Sequence, residues 1–187
     1  MIRSKLCQIA KIAVPTFNSH RRNGNLPFVI DLEEASDNAG RVWARFELHH
    51  AVKLIAAQNL ASGQGITWSE AAAIIRDQGI HTGNNRNGYF EPGFFCARVE
   101  YRTVDGHQPY LTAMHTVFRG ALSDIAVAAE QRAVAYNERA RFAHDKIEVY
   151  TIAAVNLSQA WHIAKGRAVE AGVEVDEVPE FDLDTEA

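Results

Sequence analysis

Eight residues separate Pro15 from Gly24, and that spacing leaves room for one short helix. A proline at the first position of a helix gives up no hydrogen bond, because that N–H has no partner within the helix. A glycine just past the end takes the left-handed conformation that closes the last turn. Upstream, residues 4–11 read as a first short helix with Leu6, Ile9 and Ala10 on one side, interrupted by Ala13-Val14-Pro15. Two short helices joined by a turn of about three residues form a helix-turn-helix.

The elements that follow fit a scaffold around that pair. Phe28-Val29-Ile30 is strand-like, Asp31, Glu33, Glu34 and Asp37 make an acidic loop closed by Gly40, and Arg41-Val42-Trp43-Ala44-Arg45-Phe46 alternates as a returning strand would. Leu48, Ala51, Val52 and Ile55 then mark one face of a third helix. After Gly63 and Gly65, Thr67-Trp68-Ser69-Glu70 has the form of a capping box, with Trp68, Ala71, Ala72 and Ile75 on one face of a fourth helix that ends at Gly79. Residues 81–93, rich in Gly and Asn and without periodicity, mark a boundary.

Beyond it the pattern is β-β-α-β-α. Strands are expected over 94–103 and 110–118, an alanine-rich helix over 123–142, a strand over 147–155, and a last helix capped by Asn156 with Leu157, Ala160, Trp161, Ala164 and Ala168 as its apolar stripe. The expected fold class is α+β. An N-terminal winged helix-turn-helix (1–80) is followed by a small antiparallel sheet with helices on one face (94–172) and an acidic tail (173–187).

Hydrophobic residues at 47% supply a real core, and no apolar run approaches a membrane span. The two cysteines, Cys7 and Cys96, are too few to staple a chain of 187 residues, so reduced thiols and a cytoplasmic protein are expected. The net charge of −4 conceals an asymmetry. Residues 1–30 carry five bases (Arg3, Lys5, Lys11, Arg21, Arg22) and no acid, while residues 170–187 carry eight acids and no base. A basic head and an acidic tail point to a polyanionic partner.

The first eighty residues resemble the DNA-binding domain of the MerR family. Leu6-Cys7-Gln8-Ile9-Ala10 looks like that family's first helix, and Val14-Pro15-Thr16 like the turn into its recognition helix. Arg21-Arg22-Asn23-Gly24-Asn25-Leu26-Pro27 is similar to the ending of that helix, Arg45-Phe46-Glu47 to the end of the wing, and Ile66-Thr67-Trp68-Ser69-Glu70-Ala71 to the entry of the fourth helix. The family's first turn carries a glycine where Lys11 stands, so a wider turn is expected here. The family's long dimerisation helix and cysteine metal ligands have no counterpart, and metal sensing is not carried over.

The residues themselves support a groove-reading helix. Phe17 is its only large apolar side chain, an anchor, leaving Thr16, Asn18, Ser19, His20, Arg21 and Arg22 for bases and phosphates. Arg41 and Arg45 on the wing would meet phosphates, which fix register without reading sequence. His20 reads equally as a groove residue or as a cation at a helix C-terminus. His49 and His50 are expected on different faces of their helix, and no histidine or cysteine pair has metal-ligand spacing. With no phosphate loop and no nucleophile elbow, neither a cofactor nor an enzyme is expected.

Three function classes stay open. The first is a sequence-specific transcription regulator binding double-stranded DNA as a homodimer on a roughly palindromic site. The second is a phage-type DNA-packaging subunit or an excisionase-like architectural protein. The third is a protein-interaction module that uses the hairpin and the alanine-rich helices. The acidic tail is either a solvated extension or a segment that folds over the basic head and competes with DNA.

Overall fold

Helix α1 (Arg3–Ala10) turns Leu6, Cys7, Ile9 and Ala10 inward and ends at Lys11, whose backbone is left-handed (φ 51°, ψ 44°). The Lys11 amide donates to Gln8 O and the Ile12 amide to Cys7 O, which is the Schellman ending of a helix. The turn thus closes in the left-handed conformation that a glycine most often supplies. Lysine adopts the glycine conformation because closing the turn buries Ile12, Phe17 and the helix behind them, which outweighs about 1–2 kcal/mol of left-handed strain. The structure is a computed structural model of the 187-residue chain and describes residues 1–30, 32–33, 43–44, 46–62, 65–77, 93–104 and 114–175.

Helix α2 (Val14–Arg22) starts one residue earlier than expected, with Ala13 as its cap and Pro15 second. The proline costs nothing there either, since that N–H is also free of an intrahelical partner. Gly24 (φ 69°) closes α2 with the same motif: its amide donates to Arg21 O, and Asn25's donates to His20 O. Phe28-Val29-Ile30 is not a strand. Phe28 is buried against Phe46 (ring centroids 6.3 Å) and His50 (4.5 Å), and this packing overrides its strand propensity. A two-residue ladder forms later, between β1 (Leu32–Glu33) and β2 (Trp43–Ala44), which pair antiparallel with Leu32 opposite Ala44.

Helix α3 (Leu48–Ala61) departs from the one-faced expectation. His50 through Ala57 and Leu60 are all buried, because α1, α4 (Trp68–Asp77), a strand over Ile147–Asn156 and a helix over Leu157–Glu170 surround it. At its start, the Glu47 amide donates to His50 Nδ1 (2.9 Å) and the Glu47 carboxylate takes the His50 amide. The His49 and His50 rings lie 3.8 Å apart and do not diverge, since capping turns His50 back toward the helix start. The capping box expected for α4 is present, with Thr67's amide donating to Glu70 Oε2 (2.9 Å) and Glu70's amide to Thr67 Oγ1 (3.3 Å).

The second half follows the expected β-β-α-β-α order: β3 (Phe94–Thr103), β4 (Met114–Ala121), α5 (Leu122–Asn137), β5 (Ile147–Asn156) and α6 (Leu157–Glu170). The fold is thus α+β, with six α-helices, a three-stranded antiparallel sheet and the two-stranded β1–β2 ladder among the described residues. Sheet order is β4-β3-β5. Helix α5 stops short of residue 142 because the Asn137 amide pairs with the backbone of Ile147, accepting from its N–H (2.7 Å) and donating to its C=O (2.9 Å). A 3₁₀ turn (Ala143–Asp145) leads into β5. Asn156 caps α6 as expected, accepting from the Gln159 amide at 2.9 Å.

The helices do not share one face of the sheet. Ala97, Val99 and Tyr101 pack under α5 with Ile125, Ala129 and Ala133. On the other face, Cys96, Ala153 and Val155 join Leu157, Ala160, Ala164 and Ala168 of α6 in a single apolar cluster with α1, α2, α3 and α4. The apolar core of the head therefore continues past residue 93 through α6. Two reciprocal bonds fasten the join: Arg167 donates to Ile9 O at the end of α1 (3.1 Å), and Lys5 donates to Ala171 O at the end of α6. Each cation meets the negative end of the other's helix.

Candidate nucleic-acid interface

Helix α2 is held by its one buried side chain and by its ending. Phe17 is fully buried, edge-on to Phe46 at 5.9 Å. Helix α4 grips the C-terminal cap of α2 from behind. The Trp68 indole donates to Asn25 O (2.8 Å), and the Arg76 guanidinium donates to Gly24 O (2.7 Å) and Leu26 O (2.8 Å from Nε). The capping glycine has put its carbonyls where α4 can reach them.

Of the eight site residues expected from sequence, Thr16, Arg21 and Arg22 are exposed, and Asn18, Ser19 and His20 are half-buried. Arg41 and Arg45 lie outside the described residues. The two exposed guanidiniums close the helix, while Ser19 and Arg22 stand three residues apart on one side. Hydroxyl, amide and guanidinium groups of this kind can donate to phosphate oxygens and read guanine or adenine edges in a major groove.

Two of these side chains are already engaged. Asn18 Oδ1 accepts from Arg3 Nη1 (3.1 Å), so a bidentate adenine contact would use its amide protons and its remaining lone pair. His20 turns to α4 and stacks on Trp68, with centroids 4.3 Å apart and planes at 23°. This burial lowers its pKa from the ordinary value, which favours a neutral packed ring over a groove cation. Sequence reasoning missed Arg3 and Arg76. Arg3 had a signal, being one of the five bases in the acid-free stretch, whereas nothing local marks Arg76.

Electrostatics behind the helix are settled by pairing. Glu70 holds its carboxyl below the usual range through hydrogen bonds from the Thr67 amide and hydroxyl, with Arg98 adding attraction. Arg98 reaches from β3 to Glu100 (2.8 Å) and Glu70 (3.5 Å), tying the sheet to α4. Among the described residues no three His, Cys, Asp or Glu side chains cluster as metal ligands, and no helix is long and apolar enough to cross a membrane. No protein-family model and no curated protein matches the chain.

Proposed function

We propose that this protein is a DNA-binding transcription regulator that places α2 in the major groove and acts as a homodimer on a roughly palindromic site. The observation that carries the reading is the state of α2. It has one buried anchor, a clamped ending, and an outer surface of Thr16, Ser19, Arg21 and Arg22 in a stretch without an acidic residue. The resemblance of the head to the MerR DNA-binding domain supports the same docking, with α2 as the recognition helix and the β1–β2 ladder as the wing.

In this reading Arg21 and Arg22 supply phosphate and guanine contacts, and Thr16, Asn18 and Ser19 sort base edges. Arg3 is a positioning residue acting through Asn18, and Arg76 and Trp68 position the helix end. The test is binding of duplex DNA by Arg21→Ala/Arg22→Ala across a salt series. The reading expects weaker binding and a shallower dependence of log K on log salt, by about one for each phosphate the variant no longer neutralises. Unchanged affinity and slope would overturn it.

A further inference from the structure

Two bonds fix where the chain leaves the core after α6. Arg167 reaches Ile9 O, and four residues further along α6 the Ala171 carbonyl is met by Lys5, four residues back along α1. Helices α6 and α1 therefore run antiparallel, and the chain beyond α6 heads toward the start of α1. Val173 and Val175 pack against the same apolar cluster as Met1, with Glu174 exposed between them. Residue 175 is thus delivered to the end of α1 that carries Arg3, whose guanidinium donates to Asn18 Oδ1 of α2 (3.1 Å).

The sequence after residue 175 and the surface in front of it are opposite in charge. Residues 176–187 carry six acids (Asp176, Glu177, Glu180, Asp182, Asp184 and Glu186) and no base. Arg3, Arg21 and Arg22 are exposed in the stretch that has no acid, and no carboxylate among the described residues pairs with them. Asn18, Arg21 and Arg22 are neighbours on one side of α2, and Arg3 extends that surface onto α1. Ile2, beside Arg3, is exposed as well, and the tail interleaves Val178, Phe181 and Leu183 with its acids. A segment of this length spans at most about 40 Å, against about 14 Å for the whole of α2.

We propose that residues 176–187 fold back over this basic surface within the same molecule, their carboxylates taking the places of phosphates, so that duplex DNA has to displace them. The competition rests on the DNA-binding reading, whereas the contact does not. The occupant is the chain's own tail because it is anchored beside Arg3. A tethered segment acts at an effective concentration on the order of millimolar, where even a weak ionic contact is populated. Exposed ion pairs are individually weak and screened by salt. The tail therefore yields to a duplex, whose phosphates are more numerous and release condensed counterions on binding.

The test uses the full chain. Cys7 and Cys96 are buried, so Thr185→Cys takes a thiol spin label at a single site. In dilute protein at low salt the label should broaden the amide resonances of α1 and α2 and spare those of α5, across the sheet, and the broadening should fade at high salt. Neutralising the six tail acids (each Asp→Asn, each Glu→Gln) should abolish the broadening and tighten duplex binding roughly tenfold at low salt, a gain that shrinks as salt rises. Glu130→Gln/Glu138→Gln removes exposed charge from α5 and should leave affinity within about twofold of wild type. Absence of broadening over α1 and α2 overturns the proposal, as does broadening that appears only when the label sits on a second copy. A gain matched charge for charge by the α5 variant also overturns it, because general repulsion then accounts for the effect. If duplex binding ignores the tail, the proposal falls and the DNA reading stands; if the contact is seen and no form binds duplex, the DNA reading falls and the contact stands.

Discussion

Replacing Arg76 by methionine keeps most of the side-chain stem and removes the guanidinium that holds Gly24 O at 2.7 Å and Leu26 O at 2.8 Å. A hydrogen bond from a charged donor contributes roughly 1.5–3 kcal/mol, and the part-exposed setting here places each at the lower end. Leaving both carbonyls without this donor should therefore cost about 3 kcal/mol. For a chain of this size that corresponds to a fall in Tm of about 6–12 °C, read by calorimetry. The carbonyls belong to the cap of α2, so the substitution should also loosen that helix and weaken duplex binding. Because Arg76 meets carbonyls and not phosphates, the salt slope of binding should stay as in the wild type, whereas Arg22→Ala should lower it by about one. A Tm within about 1 °C of wild type, or a salt slope reduced as for Arg22→Ala, would refute the positioning argument.

Three further outcomes follow from particular side chains. Lys11→Gly should hold stability level or raise it by up to about 1 kcal/mol in chemical denaturation, since relief of left-handed strain is partly offset by the glycine's greater unfolded freedom, while Lys11→Ile should lower it. Burial on Trp68 lowers the His20 pKa, so below the ordinary value of 6.5 the unfolded chain takes up a proton that the folded one resists. Stability from this group is thus complete above that pH and declines as pH falls toward the folded value. His20→Phe should lose less Tm than wild type between neutral and mildly acidic buffer. Burial pushes the Cys96 thiol up to about 12 and raises that of Cys7, so neither should react with a thiol reagent at neutral pH until the protein is unfolded.

What the sequence made legible was local. Gly24, the Thr67-Glu70 box and the Asn156 cap each act within a few residues, and each sits in the structure as its chemistry requires. Strand β3 is likewise found over the expected residues. The larger failures involve partners distant in sequence. Phe28 left its expected strand because Phe46 and His50 were waiting for it, and α3 is wrapped on every side because α6 returns from more than ninety residues away. Helix α6 could be given its apolar stripe but not its neighbour, as a stripe of alanines fits a helix or a sheet equally well. The site divides along the same line. Thr16, Arg21 and Arg22 were readable as an unburied polar surface, whereas the Arg3–Asn18 bond and the Arg76 clamp span 15 and 50 residues or more.

The central claim is that α2 enters a major groove and reads bases there. Its most direct measurement is selection of bound duplexes from a random pool by the full chain, in parallel with Arg21→Ala/Arg22→Ala. The account predicts that the wild type enriches two inverted half-sites about one helical turn apart, and that the variant loses that enrichment. A pool that stays random with the wild type, or a motif that the variant enriches equally well, would contradict it.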